Sequence, residues 1–109
     1  MNATLITDQQ AALVAKRWEG RDGTVRYYIE DWATLVGVEL GRYKNGGIRW
    51  ATYRGQGISN TKVSRLLAGR LWIENGKVYS TIDWNGAGVE KPESLRTLVL
   101  EAVENAARA

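Results

Sequence analysis

The sequence predicts a small α+β domain, in which an antiparallel sheet of two hairpins plus a strand is packed by N- and C-terminal amphipathic helices and one internal helix. Two Asn-Gly pairs, at residues 45–46 and 75–76, each stand between segments that alternate apolar and polar residues, as in a β-hairpin. Residues 95–106 instead repeat apolar side chains every three to four positions, as in an amphipathic helix. Because 109 residues is the size of one ordinary domain, we expect residues 1–109 to form a single domain.

The first predicted element is a helix that begins after Thr7 and runs to about Trp18. Thr7 and Gln10 have the spacing of a capping box, in which each side chain accepts the backbone N–H of the other residue. Apolar residues then recur at helical spacing as far as Trp18, and Gly20 ends the helix.

A strand and the first hairpin follow. Residues 24–30 alternate Val, Tyr and Ile with other residues, which predicts a half-buried strand. Residues 31–43 nearly keep a helical period, but their glycines weaken a helix, so we favour a short helix over 31–36 and then a strand. The turn is Lys44-Asn45-Gly46-Gly47, because Asn-Gly supplies the positive φ angles of a type I′ turn, and its partner strand is expected over 48–54.

Two more helices and the second hairpin complete the chain. Ser59 or Asn60 can cap a helix that runs almost to Gly69, and Gly69 can end it in the left-handed conformation. Residues 71–82 form the second hairpin around the other Asn-Gly pair. Pro92 suits the first position of the last helix.

The composition excludes several kinds of site. Cys and His are both absent, which removes disulfides, thiol nucleophiles, the usual general base and the commonest metal ligands. Glu74 with Lys77 is a weak candidate for catalysis, because the pair flanks a turn, where charged residues are usual. We therefore expect no enzymatic activity, no metal and no cofactor, and the lack of Cys fits a cytoplasmic protein. Neither a signal peptide nor a long apolar segment is present, so we expect no membrane partner.

Positive charge is concentrated in one segment. Residues 41–80 hold eight Lys or Arg against one acid, a net charge of +7, whereas the whole chain carries +3. Four aromatic residues are interleaved with these bases: Tyr43, Trp50, Tyr53 and Trp72. Bases mixed with flat rings are typical of a protein that binds a polyanion with rings to stack.

The sequence therefore favours a small non-enzymatic nucleic-acid-binding module that uses residues 42–77, with DNA expected rather than RNA. In the first hairpin, neighbouring strands would place cations in a track beside exposed rings. The alternative interpretation is that Trp50 belongs to the core and that the arginines form a solvated face. The predicted phosphate, base and stacking contacts are Arg42, Lys44, Arg49, Trp50, Tyr53, Arg54, Asn60, Lys62, Arg65, Arg70 and Lys77.

Residues 57–69 read Gly-Ile-Ser-Asn-Thr-Lys-Val-Ser-Arg-Leu-Leu-Ala-Gly, which resembles the recognition-helix stretch of helix-turn-helix proteins of the lactose-repressor type. In that family an amphipathic helix precedes this stretch, whereas residues 49–56 here are predicted to be largely strand, so the chain is not assigned to the family. A helix followed at once by a hairpin also has the element order of a winged helix, whose helix enters the major groove while the hairpin contacts the backbone. By that analogy Asn60, Lys62 and Arg65 would face DNA, with Arg70 and Lys77 on phosphates.

Two alternatives stay open at this point. A surface rich in Trp and Arg also suits a non-catalytic protein-binding inhibitor or adaptor domain, of phage or mobile-element origin, that recognises an acidic protein. A homodimer built on the exposed aromatic strands or on the last helix is compatible with either function.

Overall fold

Two antiparallel sheets and four helices make up residues 4–109, which are the residues that the computed structural model describes. This architecture confirms the predicted small α+β fold, but the two predicted hairpins lie in separate sheets and not in one. In chain order the elements are α1 (Asp8–Val14), β1 (Lys16–Glu19), β2 (Val25–Tyr28), α2 (Trp32–Leu35), β3 (Val38–Arg42), β4 (Ile48–Tyr53), β5 (Gln56–Gly57), α3 (Asn60–Leu67), β6 (Leu71–Glu74), β7 (Lys77–Ser80) and α4 (Leu95–Arg108).

The strands form a four-stranded sheet in the order β1-β2-β6-β7 and a three-stranded sheet in the order β3-β4-β5. One buried cluster joins both sheets and the helices, because it contains Tyr27 and Ile73 of the first sheet, Ala51 of the second, Ala11 of α1 and Val99 of α4. Side chains alternate between the two faces of a strand. The residues that alternate with Tyr27 and Ile73 therefore lie on the face turned away from this cluster.

The two Asn-Gly turns differ. Asn75 and Gly76 have φ angles of 51° and 79°, and Glu74 pairs directly with Lys77, so the second hairpin has the predicted type I′ geometry. In the first hairpin Gly46 has a φ of 89° but Asn45 does not have a positive φ, so the predicted type I′ turn is wrong there. Instead the Asn45 side chain accepts the N–H of Gly47 at 2.9 Å, and Tyr43 pairs with Gly47 across a three-residue loop.

The N-terminal helix is shorter than predicted. Thr7 and Gln10 form the expected capping box, but α1 ends at Val14 and the predicted helical residue Trp18 lies in β1. Strand β1 pairs with β2, with Trp18 opposite Arg26, and all four of its residues are exposed at the edge of the sheet. In β1 the Trp18 ring packs against Tyr28 of the neighbouring strand, a tertiary contact that the helical spacing of the apolar residues does not reveal.

The other predicted helix ends also need correction. Ser59 caps α3 as expected, but Gly69 does not have a positive φ. Gly69 is required there for space, because a Cβ atom on it would lie 2.6 Å from the Cα of Ile82. The last helix begins at Leu95 with Ser94 as its N-cap rather than at Pro92, since the Ser94 hydroxyl accepts the N–H of Thr97 at 3.1 Å.

Candidate nucleic-acid interface

All eight Lys and Arg side chains of residues 41–80 are exposed. Three ion pairs occur within residues 4–109, and they join Arg17 to Glu19, Arg26 to Glu74, and Arg108 to Glu104. None of the eight predicted cations takes part in these pairs. Their positive charge is therefore not neutralised by a neighbouring carboxylate in the part of the chain that the structure describes.

The β3–β4 hairpin exposes both rings and cations that are neighbours in sequence. Tyr43 is 56% exposed and Trp50 is 47% exposed, while Lys44 and Arg49 are exposed next to them. Arg42 donates a hydrogen bond across the turn to the carbonyl of Gly46 at 2.7 Å, which holds its guanidinium at the hairpin tip. The tip contains two consecutive glycines, yet hydrogen bonds from Arg42 to Gly46 and from Gly47 to Asn45 define its conformation.

The indole of Trp50 lies over the backbone of Gly41. The two residues are opposite each other in the β3–β4 pair, and a Cβ atom on Gly41 would lie only 2.3 Å from Trp50 Nε1. Glycine at this position therefore lets the ring lie against the strand while nearly half of its surface faces solvent.

Helix α3 adjoins the same hairpin. Asn60 donates a side-chain hydrogen bond to the carbonyl of Ile48 in β4 at 2.8 Å, so its amide is used to hold α3 against the sheet. Lys62 and Arg54 line a cleft of about 430 Å³ together with Glu90. Arg65 donates to the carbonyl of Gly86 at 3.3 Å.

As the sequence predicts, strand and not helix precedes α3. The residues before it form β4 and β5, where lactose-repressor-type proteins have a helix, so no helix of that type supports α3. The hairpin that follows α3 is not a separate wing either, because β6 pairs with β2 in the middle of the four-stranded sheet. The resemblance of residues 57–69 is thus limited to one capped helix.

The last two predicted cations lie elsewhere. Arg70 donates to the carbonyls of Ala68 and Gly69 at 3.2 and 3.0 Å, which stabilises the C-terminal end of α3. It also lines a groove with Arg42. Lys77 begins β7, opposite Glu74, in the four-stranded sheet. The eleven predicted residues are therefore distributed over the hairpin, α3 and its cleft, and the four-stranded sheet.

Tyr53 has to be removed from the predicted stacking residues. Its side chain is 7% exposed, its ring packs against Trp84 with centroids 6.3 Å apart, and its hydroxyl donates to the carbonyl of Glu90 at 2.7 Å. Burial raises the pKa of the Tyr53 hydroxyl, which keeps it a neutral donor. Residues three apart on a strand point to opposite faces, so Tyr53 turns inward where Trp50 turns outward.

Sequence reasoning missed a row of aromatic rings on the outward face of the four-stranded sheet. This aromatic row consists of Trp18, Tyr28, Trp72 and Tyr79, with successive ring centroids 6.1, 5.9 and 6.0 Å apart. It crosses all four strands, since Tyr28 is paired with Trp72 and Trp72 with Tyr79. Trp18 is 45% exposed and Tyr79 43% exposed, so both ends of the row are open to solvent.

Arg26 lies within the aromatic row. Its guanidinium carbon is 4.8 Å from the centroid of Trp72 and 5.7 Å from that of Trp18. It donates to the Tyr28 hydroxyl at 3.0 Å and to Glu74 Oε1 at 2.9 Å, and these bonds raise the pKa of Arg26. The same Glu74 oxygen accepts Trp72 Nε1–H at 3.1 Å. These contacts hold the cation and the two inner rings in one arrangement.

Part of this row could have been found from the sequence. The alternation over residues 24–30 already places Arg26 and Tyr28 on one face of a strand. Trp18 could not be added, because it was assigned to the first helix, and Trp72 could not be placed beside Tyr28 without knowing that β2 pairs with β6.

No protein-family model, curated protein or solved structure matches this chain. Within residues 4–109, no helix is long and apolar enough to cross a membrane. No group of three or more acidic side chains in that range is arranged to hold a metal ion. Function is therefore inferred from the surface chemistry of the chain itself.

Proposed function

We propose that this protein is a small non-enzymatic nucleic-acid-binding module. The observation that carries the proposal is the set of eight exposed cations in residues 41–80, none of which forms an ion pair with a carboxylate of residues 4–109. An unneutralised cationic surface attracts a polyanion, because each Lys or Arg that contacts a phosphate releases a condensed counterion.

The β3–β4 hairpin adds rings to this charge. Tyr43 and Trp50 are each about half exposed beside Lys44 and Arg49, and a base that stacks on such a ring contributes about 1–3 kcal/mol. A surface whose only role is contact with water would account for exposed lysines and arginines, but it would not account for the exposure of the large rings of Tyr43 and Trp50. The combination favours nucleic acid over a simple charged face.

The expectation of DNA rather than RNA depended on α3 acting as a groove-reading helix. Since α3 follows β4 and β5 and uses Asn60 to contact Ile48, we propose nucleic acid as the ligand class without assigning the sugar. Phosphate contacts from the hairpin serve both polymers equally.

The test is a double substitution of Lys44→Ala with Arg49→Ala, two exposed side chains that form no hydrogen bond or ion pair with any other residue of the described range 4–109. Binding of a labelled oligonucleotide is followed by fluorescence anisotropy at several salt concentrations. We expect weaker binding, and a log–log salt slope that is smaller by about 1.4 to 1.8, because two phosphate contacts are lost.

The matched control is Arg21→Ala with Lys91→Ala, which removes the same charge from two exposed cations outside residues 41–80 that form none of the ion pairs within residues 4–109. It should change the slope much less than the hairpin variant. If both variants change it equally, the binding depends on net charge and not on this surface. If the unmodified protein binds neither single-stranded nor duplex oligonucleotides at low salt, the proposal is wrong and an acidic protein becomes the candidate partner.

A further inference from the structure

We propose that the outward face of the four-stranded sheet binds the unpaired bases of a single-stranded nucleic acid. This inference rests on the proposed function and assigns it a second surface, distinct from the β3–β4 hairpin. It is carried by the aromatic row of Trp18, Tyr28, Trp72 and Tyr79 and by Arg26 among its rings.

The composition of this face is unusual for a sheet surface. Strands β1, β2, β6 and β7 place eight residues outward, by the alternation that turns Tyr27, Leu71 and Ile73 inward. Four of the eight are aromatic, three are cationic, one is acidic and none is aliphatic. They are Lys16, Trp18, Arg26, Tyr28, Trp72, Glu74, Lys77 and Tyr79.

The face is positively charged. Glu74 is paired with Arg26, so Lys16 and Lys77 keep their charge without a carboxylate within 4 Å in the described chain. Lys16 lies opposite Tyr28, and Lys77 lies opposite Glu74 in the next strand. The two free cations thus lie near the two edges of the row. An acidic sugar-phosphate backbone complements this arrangement, whereas a purely apolar partner surface would leave both charges unpaired.

The spacing of the rings favours a single strand over a duplex. Bases in a duplex are already stacked on one another and turn their edges, not their flat faces, toward a protein. Neighbouring centroids in the row are 5.9 to 6.1 Å apart, which is wider than the rise of about 3.4 Å per nucleotide within a duplex strand. The rings are also inclined to one another, by 76°, 47° and 24° along the row, so bases that stack on them would be splayed apart rather than stacked on one another.

The row is also prepared for binding before a ligand arrives. Tyr28, Trp72 and Arg26 are fixed by hydrogen bonds that converge on Glu74 and on the Tyr28 hydroxyl. A ring that is already held in place loses little conformational entropy when a base stacks on it. Trp18 and Tyr79, at the open ends, are the rings with the most surface available to a base.

The experiment compares Trp18→Ala, Tyr79→Ala and the double variant with the unmodified protein. The probes are an oligothymidylate of about twelve nucleotides and a duplex of about twelve base pairs, both titrated at constant salt. We expect each single change to weaken binding of the single strand by about fivefold or more, and the double change by the product of the two. Duplex affinity should change less than twofold, and the salt slope should be unaltered because no charge is removed.

Three further variants separate stacking from misfolding. Trp18→Phe and Tyr79→Phe keep a flat ring and should retain most of the affinity for the single strand. Leu13→Ala removes a side chain that is 51% exposed on α1, where it lines a groove with residues of α2 and α4, and should leave binding unchanged. Thermal unfolding of each variant shows whether the fold is kept.

The possible failures can be told apart. If the unmodified protein binds oligonucleotides but the alanine variants bind the single strand equally well, this inference is overturned and the proposed function stands. If the unmodified protein binds neither probe, the proposed function is overturned as well. A dimer that the Trp18→Ala change dissociates, with no change in nucleic-acid affinity, would assign the row to self-association and also overturn the inference.

Discussion

Replacement of Gly69 by Ala gives a sharp test of the packing between α3 and the segment after β7. A Cβ atom at this position would lie 2.6 Å from the Cα of Ile82 and 3.0 Å from its backbone nitrogen. Real Cβ atoms do not approach backbone so closely, and a backbone atom cannot move aside as a side-chain end can. The substitution must therefore shift the end of α3 or the chain around Ile82.

The expected cost follows from that overlap. Insertion of a methyl group into a filled site costs about 1–3 kcal/mol. In a domain of this size each kcal/mol lowers the melting temperature by about 4–8 °C. We expect Gly69→Ala to reduce the free energy of unfolding, measured by urea denaturation, by about 1–3 kcal/mol with an unchanged m-value.

The matched control is Gly57→Ala. Gly57 does not have a positive φ, and within residues 4–109 no heavy atom beyond Gly57 and its two chain neighbours lies within 4 Å of the position that its Cβ would take. This change should be neutral or slightly stabilising, because it only reduces the entropy of the unfolded chain. If Gly69→Ala is as stable as the Gly57 variant, the close approach of α3 to Ile82 is not a feature of the molecule in solution.

Three further predictions concern Tyr53, the two glycine turns and the cap of α3. Tyr53→Phe should cost about 0.5–1.5 kcal/mol near neutral pH, by loss of the bond to the Glu90 carbonyl. Burial raises the pKa of Tyr53 above its unfolded-state value of 10.0, so the neutral hydroxyl contributes its full stabilisation below pH 10.0. That stabilisation is lost as the pH rises through the folded-state pKa. The unfolding free energies of the unmodified protein and of Tyr53→Phe, measured in urea, should therefore converge at alkaline pH. Gly76→Ala should destabilise more than Gly46→Ala, since both have a positive φ but only Gly76 would also bring a Cβ within 2.6 Å of another side chain. Equal melting temperatures would contradict this. Ser59→Ala should cost about 0.5–2 kcal/mol by loss of the N-cap, and an unchanged helical signal on heating would refute that role.

The sequence predicted the elements whose signals are local. Asn75 and Gly76 adopt the predicted turn because their own φ preferences and the direct pairing of the flanking residues agree. Asn45 departs from the same prediction because its side chain accepts the N–H of Gly47, an option that the dipeptide alone does not reveal. Trp18 fits a helix by spacing, yet it lies in a strand because β2 is available as a partner.

The candidate site was predicted in composition but not in arrangement. The charge of residues 41–80 can be read directly from the chain, and the exposure of Trp50 agrees with its predicted position on the hairpin surface. The aromatic row could not be assembled, because Tyr28 meets Trp72 only through the pairing of strands that are far apart in sequence. Such long-range pairings are set by packing of the whole domain rather than by local preference.

The exposed edge strand β1 has a consequence for self-assembly. An uncovered strand edge can template a further strand from another molecule, and charged side chains oppose that addition. Strand β1 carries Lys16, Arg17 and Glu19 among its four exposed residues. A second copy could add a strand to β1 only by placing its own side chains against Lys16, Arg17 and Glu19. The charges of β1 thus oppose growth of the four-stranded sheet through this edge, while its large rings stay on the open face.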